Sequence, residues 1–379
     1  MAAALLLGGC ATPGPERAFL ESVRQHPDRA ALIPRVRPFA HGGVCAEYSA
    51  VATVARHWKE PSSPEEICRW ISKNGLKTLS AGWVTRYASD HGLWAHASRG
   101  SAPALAARIR CGVPVIATLQ SNALDAATRR QVVVIGYDNE AQQLLCLDGG
   151  RATALYTGAA FESAWRAQNY RMLVVCPPER ATWTLTPEEH GTRAEFYERA
   201  LRYSEAARDY GAALAAGPGN AQMRVGFGNA LRALKRTGEA EKAYREAIAA
   251  DPHLERAYNN LAYLLAESNR SLDEAIALAR QALVLDPANA LPMDTLGFAL
   301  YQQGRYKEAA DMLERARARA RWSSSETRIE IGMHLVWAHH RGGQDHLARE
   351  VLADLRKLDP RLEVPGELRP LLKPARRRR

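Results

Sequence analysis

From residue 206 onward an alanine returns at nearly constant intervals. Ala206, Ala240, Ala275, Ala309 and Ala348 are spaced 34, 35, 34 and 39 residues apart. Other side chains travel with it. Four residues on come Tyr210, Tyr244 and Leu313; seven on, Ala213, Ala247, Ala282 and Ala316; twelve on, Pro218, Pro252, Pro287 and Pro360. A period this long is a supersecondary unit, and so small a unit buries its apolar face only by stacking on copies of itself. Alanines seven apart mark a helix face that meets another helix closely, and the proline stops that helix. Leu261-Ala262 and Leu296-Gly297 supply the small crossing residues of the preceding helix, and Gly238, Gly304 and Gly343 are expected at turns. The register predicts about five helix pairs over residues 191–362, the first and last atypical, with a basic tail over 363–379.

This pattern resembles the tetratricopeptide repeat. The resemblance implies an all-α solenoid with a concave groove for a peptide or a protein partner. Asn229, Arg232, Asn259 and Asn260 fall on first helices.

Before the repeats, the feature with chemical content is His41-Gly42-Gly43-Val44-Cys45, followed by an Ala/Val-rich run without Gly or Pro. It reads as a loop entering a helix, with the thiol in the first turn, where the helix dipole favours thiolate. A small buried cysteine at a helix start fits the same residues. Further on, helices are expected from Pro64, over 82–91 and over 102–111, and strands over 93–97, 113–119, 131–138, 144–148 and 170–176, with a short helix over 161–165. Helices first and an antiparallel sheet afterwards argue for an α+β unit over residues 31–178. Pro177 to Pro187 reads as a linker, placed at 179–190.

The same order of elements, with Pro61-Ser62-Ser63-Pro64-Glu65-Glu66-Ile67, Gly-Val-Pro-Val-Ile and Val-Val-Val-Ile-Gly-Tyr-Asp, resembles the papain-like cysteine peptidases that process double-glycine bacteriocin leaders. Within that family it is similar to lipoprotein relatives carrying C-terminal tetratricopeptide repeats. The resemblance implies four roles: a nucleophilic cysteine, a histidine base, an acid that orients it, and an oxyanion donor. Cys45 matches the nucleophile and Asp148 the acid. The position of the family's histidine holds Arg130, and the donor position falls at Ala40 or His41. A guanidinium stays protonated and cannot serve as a base. The resemblance therefore implies a peptidase site without its proton shuttle, unless His41, His57 or His96 stands in. An active cysteine peptidase cleaving a peptide or leader through Cys45 is the alternative.

Leu7-Gly8-Gly9-Cys10 resembles the lipobox of bacterial lipoproteins, which implies an acylated Cys10 tethering the protein to the cell envelope, facing the periplasm, with residues 1–30 as signal and tether. An ordinary N-terminus and a cytoplasmic protein is the alternative. Net charge is +10, but 31 Lys/Arg stand against 27 Asp/Glu after Arg180, an excess that equals the terminal Arg376–Arg379 run. That balance argues against a nucleic-acid-binding face. Cys10, Cys45, Cys68, Cys111, Cys146 and Cys176 are scattered without paired spacing, so neither a zinc site nor a disulfide framework is expected, and no glycine-rich phosphate loop calls for a cofactor. Cys68, Cys111, Cys146 and Cys176, with Trp58, Trp70, Trp94 and Trp165, read as packing residues.

Overall fold

The computed structural model describes residues 14–38, 48–60, 63–74, 82–121, 129–148, 153–217 and 220–372. Cys10, His41 and Cys45 lie outside the described residues. The chain divides into two compact units, residues 1–202 and 203–379.

The first unit runs α1 (Gly14–Gln25), β1 (Ala30–Leu32), α2 (Ser49–His57), α3 (Pro64–Lys73), α4 (Gly82–Asp90), β2 (Trp94–Arg99), α5 (Ala102–Arg110), β3 (Val115–Gln120), β4 (Arg129–Asp138), β5 (Gln143–Asp148), β6 (Thr153–Thr157), α6 (Gly158–Arg166), β7 (Arg171–Cys176) and α7 (Pro187–Arg199). The strands form one sheet in the order β2-β7-β3-β4-β5-β6, with β1 added beside β4, and all pairings are antiparallel. This is the antiparallel α+β arrangement that the order of elements led us to expect. Local signals explain the boundaries. Ser63 and Glu66 close a capping box at α3, and Ser101 caps α5 ahead of Pro103. Gly112 then takes φ +75°, a left-handed conformation that costs glycine nothing. Val132–Ile135 is an unbroken apolar run because both faces of β4 are covered there.

Three stretches depart from the sequence reading. Residues 14–30, expected within the tether, carry α1 and the first residue of β1; Phe19 is 1% exposed and fixes α1 over Gly136, where a Cβ would come within 2.9 Å of its ring. The expected linker at 179–190 is packed, because Trp183 is buried and stacks on Trp94 at 6.2 Å. It leads into α7, which belongs to the first unit and lies on β2. Finally, the expected tail begins with a folded segment, the 3-10 turn Gly366–Leu372, which buries Leu368 and Leu371 in the core of the second unit.

The second unit consists of α8 (Tyr203–Ala215), α9 (Ala221–Ala233), α10 (Thr237–Ala250), α11 (Glu255–Glu267), α12 (Leu272–Leu285), α13 (Ala290–Gln302), α14 (Tyr306–Arg319), α15 (Ser325–Arg341) and α16 (Asp345–Leu358), then that turn. Each helix packs on the next, and α9, α11, α13 and α15 also touch in succession. The five register alanines are fully buried. Opposite them, Gly228, Ala262, Gly297 and Gly332 hold the crossing position: a Cβ on Gly228 would lie 2.5 Å from the Tyr244 ring, and one on Gly297 2.5 Å from Leu313. Gly304 and Gly343 occupy left-handed turns as expected, whereas Gly238 sits inside the first turn of α10. The long last interval has a simple cause. α15 has 17 residues where α9, α11 and α13 have 13, and four residues are one further helical turn.

Candidate functional site

Arg130 and Asp148 stand on neighbouring strands, and their ion pair forms at 3.3 Å between Nε and Oδ2. Tyr156 closes a triangle: its hydroxyl donates to Asp148 at 2.8 Å and accepts from Arg130 at 3.1 Å. Burial, then the bond to Asp148, pushes the Tyr156 hydroxyl up to about 12. The group is held together by its own charges, and none of the three is a histidine. Strand alternation puts Arg130 on the face of β4 opposite Arg129 and Gln131. Those two, not Arg130, line a cleft of 840 Å³ with Trp83 of α4, Thr118 of β3 and Arg171 of β7. Tyr48, just before α2, packs edge-on against Trp83 at 5.3 Å.

Of the histidines named as substitutes, His41 lies outside the described residues. His96 is buried with Nδ1 3.0 Å from the Thr192 hydroxyl, and burial holds it below the ordinary histidine range. Burial lowers His57 as well. Cys146 and Cys176 are buried free thiols, while Cys68 and Cys111 are half-buried. Desolvation raises both buried thiols, Cys176 to about 12, so neither is a thiolate at neutral pH.

In the second unit one constellation crosses the repeats. The Arg232 guanidinium of α9 lies 5.2 Å from the centre of the Tyr263 ring of α11. Tyr263 stacks on Phe298 of α13 at 5.7 Å, and Phe298 stacks on His334 of α15 at 4.6 Å. Four successive first helices thus contribute one rung each to a continuous ladder, whose members are half-buried. Beside it Asn229 accepts from Tyr244 at 2.9 Å and from Asn260 at 2.8 Å, and Asn259 donates to Asn260 at 3.4 Å. Arg232 also pairs with Glu267 at 3.3 Å. Sequence reasoning placed Arg232 and the asparagines on first helices without giving them a role, and passed over Tyr263, Phe298 and His334. The register held the signal: Tyr263 and Phe298 each follow a small crossing residue, Ala262 and Gly297.

His334 also binds Asp294 at 2.9 Å, and both are buried or nearly so. Burial pulls its pKa down, but the charge and hydrogen bond of Asp294, with Glu330 behind them, outweigh it and raise the value above the usual one. A raised folded-state pKa means that protonation favours the fold. The contribution is fully present below the unfolded value, about 6.5, and is lost as pH rises through the folded one. The urea midpoint of the second unit, followed by far-UV circular dichroism, should therefore fall across that window, and His334→Gln should flatten this part of the profile. An unchanged slope in the variant would assign the dependence to another group.

Residues 193–255 and 239–290 match the family model of the tetratricopeptide repeat. With the helix pairs and their crossing residues, this makes the C-terminal half a tetratricopeptide-repeat solenoid. Over 92 residues the chain is 34% identical to the peroxisomal targeting signal receptor of Kluyveromyces lactis, a match covering 24% of this chain and 16% of the receptor. Among solved structures, the APC/C hetero-tetramer Cut9–Hcn1 is similar at 17% identity and a TM-score of 0.43, over 46% of this chain and 34% of that one. PilW, a widely conserved type IV pilus biogenesis factor, is similar at 20% identity and a TM-score of 0.43, over 47% of this chain and 79% of its own. Likenesses at these scores leave this chain's role open.

Proposed function

We propose that this chain is a partner-binding protein whose tetratricopeptide array takes a peptide segment of another protein on the face lined by its first helices. The observation that carries this reading is the ladder Arg232–Tyr263–Phe298–His334. Arginine and aromatic side chains held in place by neighbours are those that concentrate binding energy. The adjoining asparagines add amides suited to an extended backbone. The name of the Kluyveromyces lactis relative describes a receptor for a targeting signal, which fits a short peptide as the class of ligand.

For the first unit we propose a papain-like peptide-holding domain whose cysteine peptidase site is degenerate. In this reading Cys45 keeps the nucleophile position, Asp148 the acid, Arg130 the place of the histidine, and Ala40 or His41 the oxyanion-donor position. Two features support it: helices precede an antiparallel sheet, and at the positions carried over for the histidine and the acid Arg130 and Asp148 form an ion pair closed by Tyr156. The sequence Leu7-Gly8-Gly9-Cys10 supports an acyl tether at Cys10 that holds the protein on a membrane surface.

The test selects peptides from a random library on the immobilised chain and incubates the same chain with a quenched peptide library. Selected peptides should bind Tyr263→Ala and Phe298→Ala at least tenfold more weakly, a loss of about 1.4 kcal/mol, and no turnover should be seen. Equal binding by both variants would remove the ladder from the reading. Turnover abolished by Cys45→Ala would replace the degenerate domain with a working peptidase.

A further inference from the structure

We propose that the cleft of the first unit is a second binding site, specific for an acidic peptide segment and independent of the repeat array. Arg99, Arg129 and Arg171 would hold its carboxylates, and Trp83, Val84 and Leu173 its apolar side chains.

The sheet itself creates an unbalanced charge here. β2 ends at Arg99 and β7 begins at Arg171, and the two are direct cross-strand partners. Like charges directly opposite on an antiparallel pair destabilise it. Arg129, at the start of β4, brings a third guanidinium to the same cleft. Among the described residues none of the three has a carboxylate partner; the Arg99 guanidinium faces the Asn169 side-chain amide, whose oxygen accepts from it at 2.7 and 3.2 Å once the amide is turned to satisfy both groups. Arginines of the second unit show the contrast, since Arg236 and Arg305 each grip a glutamate three residues on. Trp83 and Val84, in the first turn of α4, line the same space. Three cations in a concavity bounded by low-dielectric walls focus a positive field, and an arriving anion would relieve the Arg99–Arg171 repulsion.

Size and lining select among anions. A volume of 840 Å³ is in the range of a drug-sized or short-peptide site. Apolar surface from Trp83, Val84 and Leu173 shares the lining, and a phosphate group alone would leave it wet. A segment alternating acidic and apolar side chains satisfies both kinds of wall, because successive side chains of an extended chain point to opposite sides.

The experiment uses the full chain and a short fluorescent peptide of alternating Glu and Leu, with its Gln/Leu counterpart, read by anisotropy. The Glu/Leu peptide should bind, its affinity should fall as salt rises, and both the Gln/Leu peptide and the double variant Arg129→Gln/Arg171→Gln should show at least a tenfold loss. Arg315→Gln/Arg319→Gln removes the same charge from α14 and should leave binding unchanged. The melting temperature of the cleft variant should hold or rise, because a repulsion has been removed. Equal affinity of the double variant or of the Gln/Leu peptide would overturn the proposal. So would a lowered melting temperature, which would assign the arginines to the fold. Displacement by inorganic polyphosphate at the same charge concentration would also overturn it, by making the cleft a general polyanion site.

Discussion

Glu189→Ala is expected to destabilise the first unit by about 3–5 kcal/mol, the range for breaking a buried ion pair from one side. Both Glu189 oxygens are committed. One accepts from Arg108 at 2.6 Å and from the Trp183 indole at 3.2 Å. The other accepts from the Thr186 N–H at 2.9 Å, while the Thr186 hydroxyl oxygen accepts from the Glu189 N–H at 3.2 Å, a capping box for α7. The side chains of Arg108 and Glu189 are 8% and 1% exposed, so alanine would leave a guanidinium in a dry site with only the Ala104 carbonyl, at 2.8 Å, as a partner. Arg108 also lies 5.0 Å from the centre of the Trp183 ring, a contact that requires the indole to stay in place. Urea unfolding followed by the fluorescence of Trp94 and Trp183 measures the loss. The double substitution Arg108→Met/Glu189→Leu separates charge from packing. It should recover most of the loss, because apolar groups of similar volume often replace a buried pair without net cost. Equal losses in the single and double variants would show that the cap and the indole bond, and not the stranded charge, dominate.

Leu368→Ala should cost the second unit about 2–5 kcal/mol, the usual range for truncating a fully buried leucine. Leu368 has no exposed surface and Leu371 is 4% exposed, both within the core of the repeats. Arg341 pairs with Glu367 at 3.0 Å, and Arg349 donates to the Leu371 carbonyl at 3.2 Å, so the turn is held at both ends. A solenoid needs its last apolar face covered, and these residues cover it after α16. A shift in the thermal midpoint of the helical signal reads the effect. A variant melting with the unmodified chain would restore the reading of this segment as a solvated tail.

The repeats were legible because their constraint is local and recurs. Each small residue at a helix crossing must be small for the same reason, so Ala240, Ala275 and Ala309 announce one another. The valine run of β4 was legible because burial on both faces admits little else. What escaped depends on distant partners. α1 is half polar, and Phe19, its most buried side chain among the described ones, acquires meaning only against Gly136. β6 follows Gly149-Gly150 and is half-buried, so its pattern is too weak to mark a strand. Nothing local sets Glu189 apart from other first-turn acids; its role comes from Arg108, 81 residues earlier in the chain. The Arg99–Arg171 pairing depends on β7 inserting between β2 and β3, and sheet order is not written in any one strand. The ladder escaped for a related reason: its rungs come from helices about 35 residues apart, and stacking requires knowing which rotation each helix presents.

That ladder has a mechanical consequence. A repeat solenoid deforms by changing the spacing and tilt between neighbours, each of which touches only the next. Aromatic rings in offset contact tolerate sliding past one another far better than they tolerate separation, since their attraction is lost once the faces part. A row of rings spanning α11, α13 and α15 therefore makes this face compliant in shear and stiff against opening. A segment laid along it would meet a surface of nearly fixed length, a ruler for what it accepts.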